Sequence, residues 1–244
     1  MKKILRQRGV TFVEMIVVVA CVAILASLGI PAVRVFQRSI ESPGAAKSMI
    51  SGAMASARAI AAKEQHYTGI RFQIRPSDTD PLNPHTGSQY MIFIVHDYEG
   101  TGYASGFRAV KGQKPIKLPE SLGVVADGVD LNAIKDDEEA TRNATTFSVV
   151  FSPSGRLVLH DVRVSSSGTV EDVFNTQAAV LDGDAMFYQD EDGVSGLNQE
   201  LSVNGFVIFD RKAFKQAHDE GKGYSGFLNP VDINPYTGTM ILRD

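Results

Sequence analysis

Cys21 is the only cysteine, so the chain cannot close an internal disulfide and any folded domain must be held by its core. No acid, base and nucleophile group in the sequence suggests catalysis. Gly223-Tyr224-Ser225-Gly226-Phe227 fails the nucleophile-elbow spacing, because Phe227 stands where the second glycine belongs. Gly100, Gly102 and Gly106 match no phosphate loop and read as a hairpin loop. His66, His85, His96, His160 and His218 are scattered, without zinc-type spacing. No internal repeat is evident, and there is no clustered basic tail. Lys111, Lys114 and Lys117 form the one local basic patch, read as a solvated strand edge. The formal charge is −4, and it becomes about −8 beyond residue 9, because Lys2, Lys3, Arg6 and Arg8 all precede that point. Such a balance argues against nucleic acid or anionic lipid as the main partner. The expectation is a protein that is not an enzyme.

Charge is also missing from Met15 to Ile30. The basic start leads to Gly9-Val10-Thr11-Phe12-Val13-Glu14, and apolar sequence then runs to Pro31. Val10 to Val33 is long enough to span a bilayer, which takes about 20 residues. The positive leader predicts a cytoplasmic start and a C-terminal part outside. Glu14 therefore lies near the start of a membrane-length helix. An ionisable Asp, Lys or Arg at the centre of such a helix costs roughly 2.5–3.5 kcal/mol, and less near an end, so Glu14 calls for a partner.

These residues resemble the start of type IV prepilins and of the pseudopilins of type II secretion. Those families have a short basic leader, a Gly, an apolar new first residue and a Glu fifth in the mature chain. The resemblance places the cut after Gly9, makes Val10 the first mature residue and Glu14 the fifth, and puts Pro31 at the usual helix-kink position. Phe is more usual where Val10 stands. It implies that a prepilin peptidase cuts and methylates the new amine. Glu14 would then neutralise the amine of a neighbouring subunit, since a buried charge is tolerated when an opposite charge meets it.

Three other readings compete for this segment. A bare transmembrane anchor leaves Glu14 unexplained. A secretory signal peptide has a shorter apolar core, about 7–15 residues, and a small-residue cut site, and no clean Ala-x-Ala follows here. Val18-Val19-Ala20-Cys21 has the form of a lipoprotein box, which would anchor the chain at Cys21. Against it, the apolar run continues through Ile30, and Glu14 would sit inside the signal core.

Ser42-Pro43-Gly44 predicts a bend or short melt in the N-terminal helix. Ala45, Met49, Ala53, Ala57 and Ile60, with Ala46, Ile50, Met54 and Ala61 alongside, recur at helical spacing and predict an amphipathic second half. After about Lys63 the pattern changes to strands. Ile70 to Arg75 alternates and predicts a half-buried strand, whereas Tyr90 to Val95 is apolar on both faces and predicts a central one. Phe107–Val110, Thr146–Phe151, Arg156–Val164, Gly205–Phe209 and Thr239–Leu242 are further candidates. Ser152-Pro153-Ser154-Gly155 predicts a hairpin turn, and Lys212–Glu220 a short helix. The predicted organisation is a leader over 1–9, a helix over 10–64 with 10–33 in membrane or filament core, and a β-rich domain over 65–244. Within that domain, about 165–204 reads as a polar, acidic insertion.

Past the first helix the chain is similar to the H-type minor pseudopilins and their FimT-like relatives. Ala55-Ser56-Ala57-Arg58-Ala59-Ile60, Leu118-Pro119 before Gly123-Val124, and Phe151-Ser152-Pro153-Ser154-Gly155-Arg156 carry that similarity. This chain is longer, mainly over 165–204 and in its C-terminal segment. The implied fold is α+β, with a long N-terminal helix packed on an antiparallel β-sheet domain. The implied partners are major and minor pilin or pseudopilin subunits, prepilin peptidase, an inner-membrane assembly platform, and membrane lipid before assembly. The implied location is the bacterial inner membrane as a single-pass precursor, then a periplasmic pseudopilus or an extracellular filament. A membrane-tethered binding module for DNA uptake is the alternative, and the acidic charge weighs against it.

No cofactor is expected. The best metal candidate is calcium at the acidic run Asp182, Asp184, Asp190, Glu191, Asp192 and Gly193, with Asp184, Asp190 and Asp192 as weak ligands. Tyr188 stands where the first Asp of a calcium loop belongs and Gln199 where the closing Glu belongs. A solvated acidic loop is the simpler reading.

Overall fold

The computed structural model describes residues 12–22, 43–75, 88–129, 144–166, 172–176, 179–180, 186–190, 199–220, 222 and 228–243. The chain divides between Ser42 and Pro43 into two units. In the first, residues 12–22 form helix α1. The second begins with helix α2 (Pro43–Glu64), so this helix belongs to the same compact unit as the sheets.

α2 forms because its apolar residues recur every three to four positions. Ala46, Ile50, Ala53, Met54, Ala57 and Ala61 are all buried along one face. Four of these six are alanines, which let the helix approach a sheet closely. The helix ends at Gln65, which takes a left-handed turn at φ 58° and returns its N–H to Ala61 O at 3.0 Å.

The larger sheet runs in the order β11-β8-β3-β2-β1-β6-β7, with β4 also paired to β2. Its strands are β1 (Thr68–Ile74), β2 (Gln89–His96), β3 (Gly106–Ala109), β4 (Ile116–Lys117), β6 (Phe147–Phe151), β7 (Leu157–Val158), β8 (Asp161–Val164) and β11 (Glu200–Leu201). The glycines at 100 and 102 belong to a one-turn helix, α3 (Tyr98–Thr101), and its cap, between β2 and β3. The smaller sheet is β14-β13-β12-β5, from β5 (Leu122–Ala126), β12 (Gly205–Asp210), β13 (Leu228–Ile233) and β14 (Met240–Leu242). Helix α4 (Arg211–Asp219) follows β12, and the Asp210 side chain caps it by accepting from the N–H groups of Lys212 and Ala213 at 2.8 and 2.9 Å. A two-strand parallel pair joins β9 (Phe174–Asn175) to β10 (Phe187–Tyr188).

The sheets are mainly antiparallel, as expected, and two details differ from the sequence reading. β3 pairs with β8 in parallel, as β9 does with β10. The predicted strand Arg156–Val164 is two strands, β7 and β8, joined only by Leu159 and His160. β7 and β8 lie near opposite ends of the strand order. Three residue steps reach at most about 10–11 Å. The sheet must therefore roll so that its two ends meet.

Each face of the rolled sheet has its own core. On one face, α2 and the smaller sheet pack against Ile70, Phe72, Met91, Phe93, Phe147, Val149 and Phe151. On the other, Ile92, Ile94, Phe107, Val150, Val162 and Val164 enclose Phe174 and Phe187. β1 is consequently buried along its whole length, and the expectation of a half-buried strand does not hold. Residues from the insertion cover the face that the alternation assigned to solvent.

Arg58, in the C-terminal half of α2, fastens two turns. Its Nε donates to Gly155 O at 2.8 Å in the β6–β7 hairpin, whose predicted turn is present. Its two terminal nitrogens donate to Tyr236 O and Thr237 O in the β13–β14 turn. Gly238, at φ 65°, passes so close that a Cβ there would stand 2.6 Å from Arg58 Cδ. Arg58→Ala is expected to lower the unfolding free energy by about 1–3 kcal/mol in urea denaturation, with Arg58→Lys recovering little, because an ammonium cannot serve three carbonyls in a fork.

Candidate functional site

α1 is apolar on every side. Phe12, Val13, Met15, Ile16, Val17, Val18, Val19 and Val22 are 52–80% exposed, and Glu14 is exposed among them. A helix that is hydrophobic all round belongs in a core or a membrane. Among the described residues no helix is long and apolar enough to cross a membrane, and the expected span 10–33 extends past α1 at both ends. Gly9, Val10 and Pro31 lie outside the described residues. Cys21 is exposed on the same helix.

The second unit contains a buried charge cluster that sequence reading missed. Arg71 on β1 is 1% exposed and points into the second core. Its guanidinium meets Asp190 Oδ1 at 2.5 Å and Glu200 Oε1 at 3.1 Å. The other oxygen of Asp190 accepts the Val164 N–H at 2.7 Å. Glu200 also accepts from the Ser148 hydroxyl at 3.1 Å, and Gln73 donates to Tyr188 O at 3.2 Å. Burial pushes both carboxyls up, Glu200 to about 7, while Arg71 pulls them back. Arg163 adds a positive charge toward Asp190, and its guanidinium lies 3.7 Å from the centre of the Tyr103 ring. No local signal marked this cluster, because Arg71 stands at an alternate, polar position of its strand that reads as the solvent face.

Asp190, a weak calcium candidate, thus already has both oxygens engaged by Arg71 and Val164. Asp184 and Asp192 lie outside the described residues. Among the described residues no group of three or more His, Cys, Asp or Glu could hold a metal ion. The scattered histidines do partly converge: the rings of His96 and His160 lie 5.7 Å apart, flanked by Tyr67 and Phe107. His66 is exposed, whereas His85 and the 223–227 glycine segment are outside the described residues. Lys111, Lys114 and Lys117 are exposed around β4, on the sheet's side branch.

Removing the cation leaves Asp190 buried without its counter-charge, beside a Glu200 that is a quarter exposed; breaking a buried pair in this way typically costs about 3–5 kcal/mol. Arg71→Ala should lower the urea midpoint by that equivalent. Arg71→Met combined with Asp190→Asn and Glu200→Gln should lie closer to wild type. A wild-type midpoint for Arg71→Ala would show that the cluster is not holding the insertion.

Residues 4–30 match the family model described as the prokaryotic N-terminal methylation motif. No curated protein and no solved structure matches the chain. The match supports a type IV pilin-like or pseudopilin start, processed and methylated at its N-terminus, and it ends before Pro31.

Proposed function

We propose that the chain is a structural subunit, a minor pseudopilin of the H-type, in a type II secretion pseudopilus or a related type IV filament. The observation that carries this reading is the methylation motif over residues 4–30, with Glu14 following Gly9 at the pilin spacing. The apolar surface all round α1 agrees with it, because such a helix must be covered by lipid or by other helices.

In this reading the precursor sits in the inner membrane through residues 10–33, with its C-terminal domain outside the cytoplasm. Prepilin peptidase cuts after Gly9, and Val10 becomes the methylated first residue. The assembly platform then moves the helix from lipid into a bundle of major and minor subunit helices. Glu14 meets the amine of an adjacent subunit there, and one fixed charge pair in a dry bundle penalises every other stagger. The β domain, in a chain of net charge about −8 beyond residue 9, faces neighbouring subunits or cargo. The protein itself supplies no catalysis and needs no cofactor.

Intact mass and N-terminal sequencing of the protein from its own membranes should give a chain starting at N-methylated Val10. A lipid-modified Cys21 as first residue would overturn the reading. Glu14→Val should insert and be cleaved like wild type, yet be depleted at least tenfold from sheared filaments, since one lost charge pair of about 1.4 kcal/mol is already a tenfold change in an equilibrium. Normal incorporation would remove Glu14 from the mechanism.

A further inference from the structure

The roll of the larger sheet leaves a seam between β8 and the β6–β7 hairpin, and residues 200–203 are laid across it. Glu200 and Leu201 pair with Val162 and Asp161 of β8. The Ser202 N–H donates to His160 O at 2.9 Å, and the Val203 N–H donates to Ser148 O at 2.8 Å. The next residue, Asn204, leads this strap into β12 of the smaller sheet. It occupies an exposed bend just ahead of the strand, and its main-chain carbonyl accepts the Ile233 N–H of β13 at 2.9 Å. Its side-chain amide makes no hydrogen bond among the described residues.

We propose that Asn204 is a site of spontaneous deamidation, at which a neutral residue becomes a carboxylate and the start of β12 is released from β13. Asn204 is the one asparagine of the chain that precedes a glycine. The reaction needs the amide nitrogen of the following residue to reach the asparagine side chain, and a Cβ on that residue obstructs the approach. The packing requires glycine here, because a Cβ on Gly205 would stand 2.9 Å from Val231 O. Opposite it, the Asp127 N–H donates to Gly205 O at 3.4 Å, and no bond returns from the Gly205 N–H among the described residues. Nucleophile and electrophile are thus both unengaged. The other described asparagines each lack a requirement. Asn229 and Asn234 precede Pro230 and Pro235, whose nitrogens carry no hydrogen to lose. Asn175 precedes the β-branched Thr176, and its side-chain oxygen already accepts the Thr176 N–H at 2.9 Å.

The reaction balances with water as its only co-reactant. The Gly205 nitrogen attacks Asn204 Cγ and gives up its proton. The bond from Cγ to the side-chain nitrogen breaks, and ammonia leaves with that proton. Water then opens the resulting succinimide at either carbonyl, giving aspartate or isoaspartate. Isoaspartate carries the main chain through Cγ and lengthens it by one carbon. The carbonyl that accepted the Ile233 N–H becomes a free carboxylate, so the β12–β13 ladder loses its register where the strap joins it. Either product also adds a negative charge next to Gly205, where Arg243 is already shared by Asp127 and Asp232.

Peptide mapping by mass spectrometry, on the full chain incubated in detergent at neutral and mildly alkaline pH, reads the reaction as the exchange of NH for O at Asn204. The Asn204 peptide should convert at least about tenfold faster than the Asn175 peptide, a barrier difference of roughly 1.4 kcal/mol. It should yield isoaspartate together with aspartate, and the rate should rise with pH as the attacking nitrogen loses its proton. Hydrogen exchange at the Ile233 amide should quicken in step with isoaspartate, while α2 stays constant. Asn204→Gln would need a larger ring and should stay unmodified, with the Ile233 amide protected. An Asn204 peptide that converts no faster than the Asn175 peptide would overturn the proposal. So would aspartate as the single product, since it would mark direct hydrolysis. An unchanged Ile233 amide in the converted chain would overturn the release of β12. The comparison of the two wild-type peptides decides the site whether or not the variant folds.

Discussion

A guanidinium buried on a central strand is the constraint around which the second unit is arranged. Arg71 lies inside the rolled sheet, between β2 and β6, where water cannot solvate it. A lone cation there would be prohibitively unfavourable. Its two carboxylates come from residues 119 and 129 positions later in the chain. The acidic stretch after β8 is thereby fixed to the sheet. Once held, it delivers Phe174 and Phe187 to the second core and closes the seam with Ser202 and Val203. Apolar burial supplies most of the favourable free energy, but it is non-directional. The ion pairs determine where the covering segment sits.

The first core has a directional tie of its own. Gln89, buried at the start of β2, donates to Val124 O and Thr145 O and accepts the Val124 N–H. One amide thus locks the larger sheet to β5 of the smaller one. α4 covers the far side of that smaller sheet with Phe214 and Ala217 against Val125 and Phe209. The resulting order is insertion, rolled sheet, α2 with the smaller sheet, and α4. Polar fasteners (Arg71, Gln89 and Arg58) connect these layers at separate points.

Sequence periodicity was legible where neighbours along the chain decide the structure. The alanine-rich stripe of α2, the doubly apolar β2, the turn at 152–155 and α4 all follow from local pattern. Arg71 and Gln73 illustrate the opposite case. Their polar character at alternate positions suggested a solvent face, and only distant residues reverse that reading. The insertion looked solvated because its acids are frequent, yet Asp190 is buried precisely as a counter-charge and the two phenylalanines are buried beside it. β13 escaped notice because Asn229 and Pro230 interrupt its strand character. β5 is a five-residue apolar stretch with little alternation. At the amino terminus, by contrast, the methylation motif over residues 4–30 lies wholly in the linear order of the chain, so no distant residue is needed to read it.

The fasteners also impose an order in time. Arg58 reaches across 179 positions to Thr237, so α2 finds its last partners only in the final turn of the chain. Loop-closure entropy must be met before such contacts return any stabilisation. A growing chain can therefore tie α2 to the β6–β7 hairpin through Gly155, but lacks the second half of the Arg58 tie until residues 236 and 237 are made. Loss of the β13–β14 turn would be felt in the C-terminal half of α2, although the two are far apart in the domain's sequence.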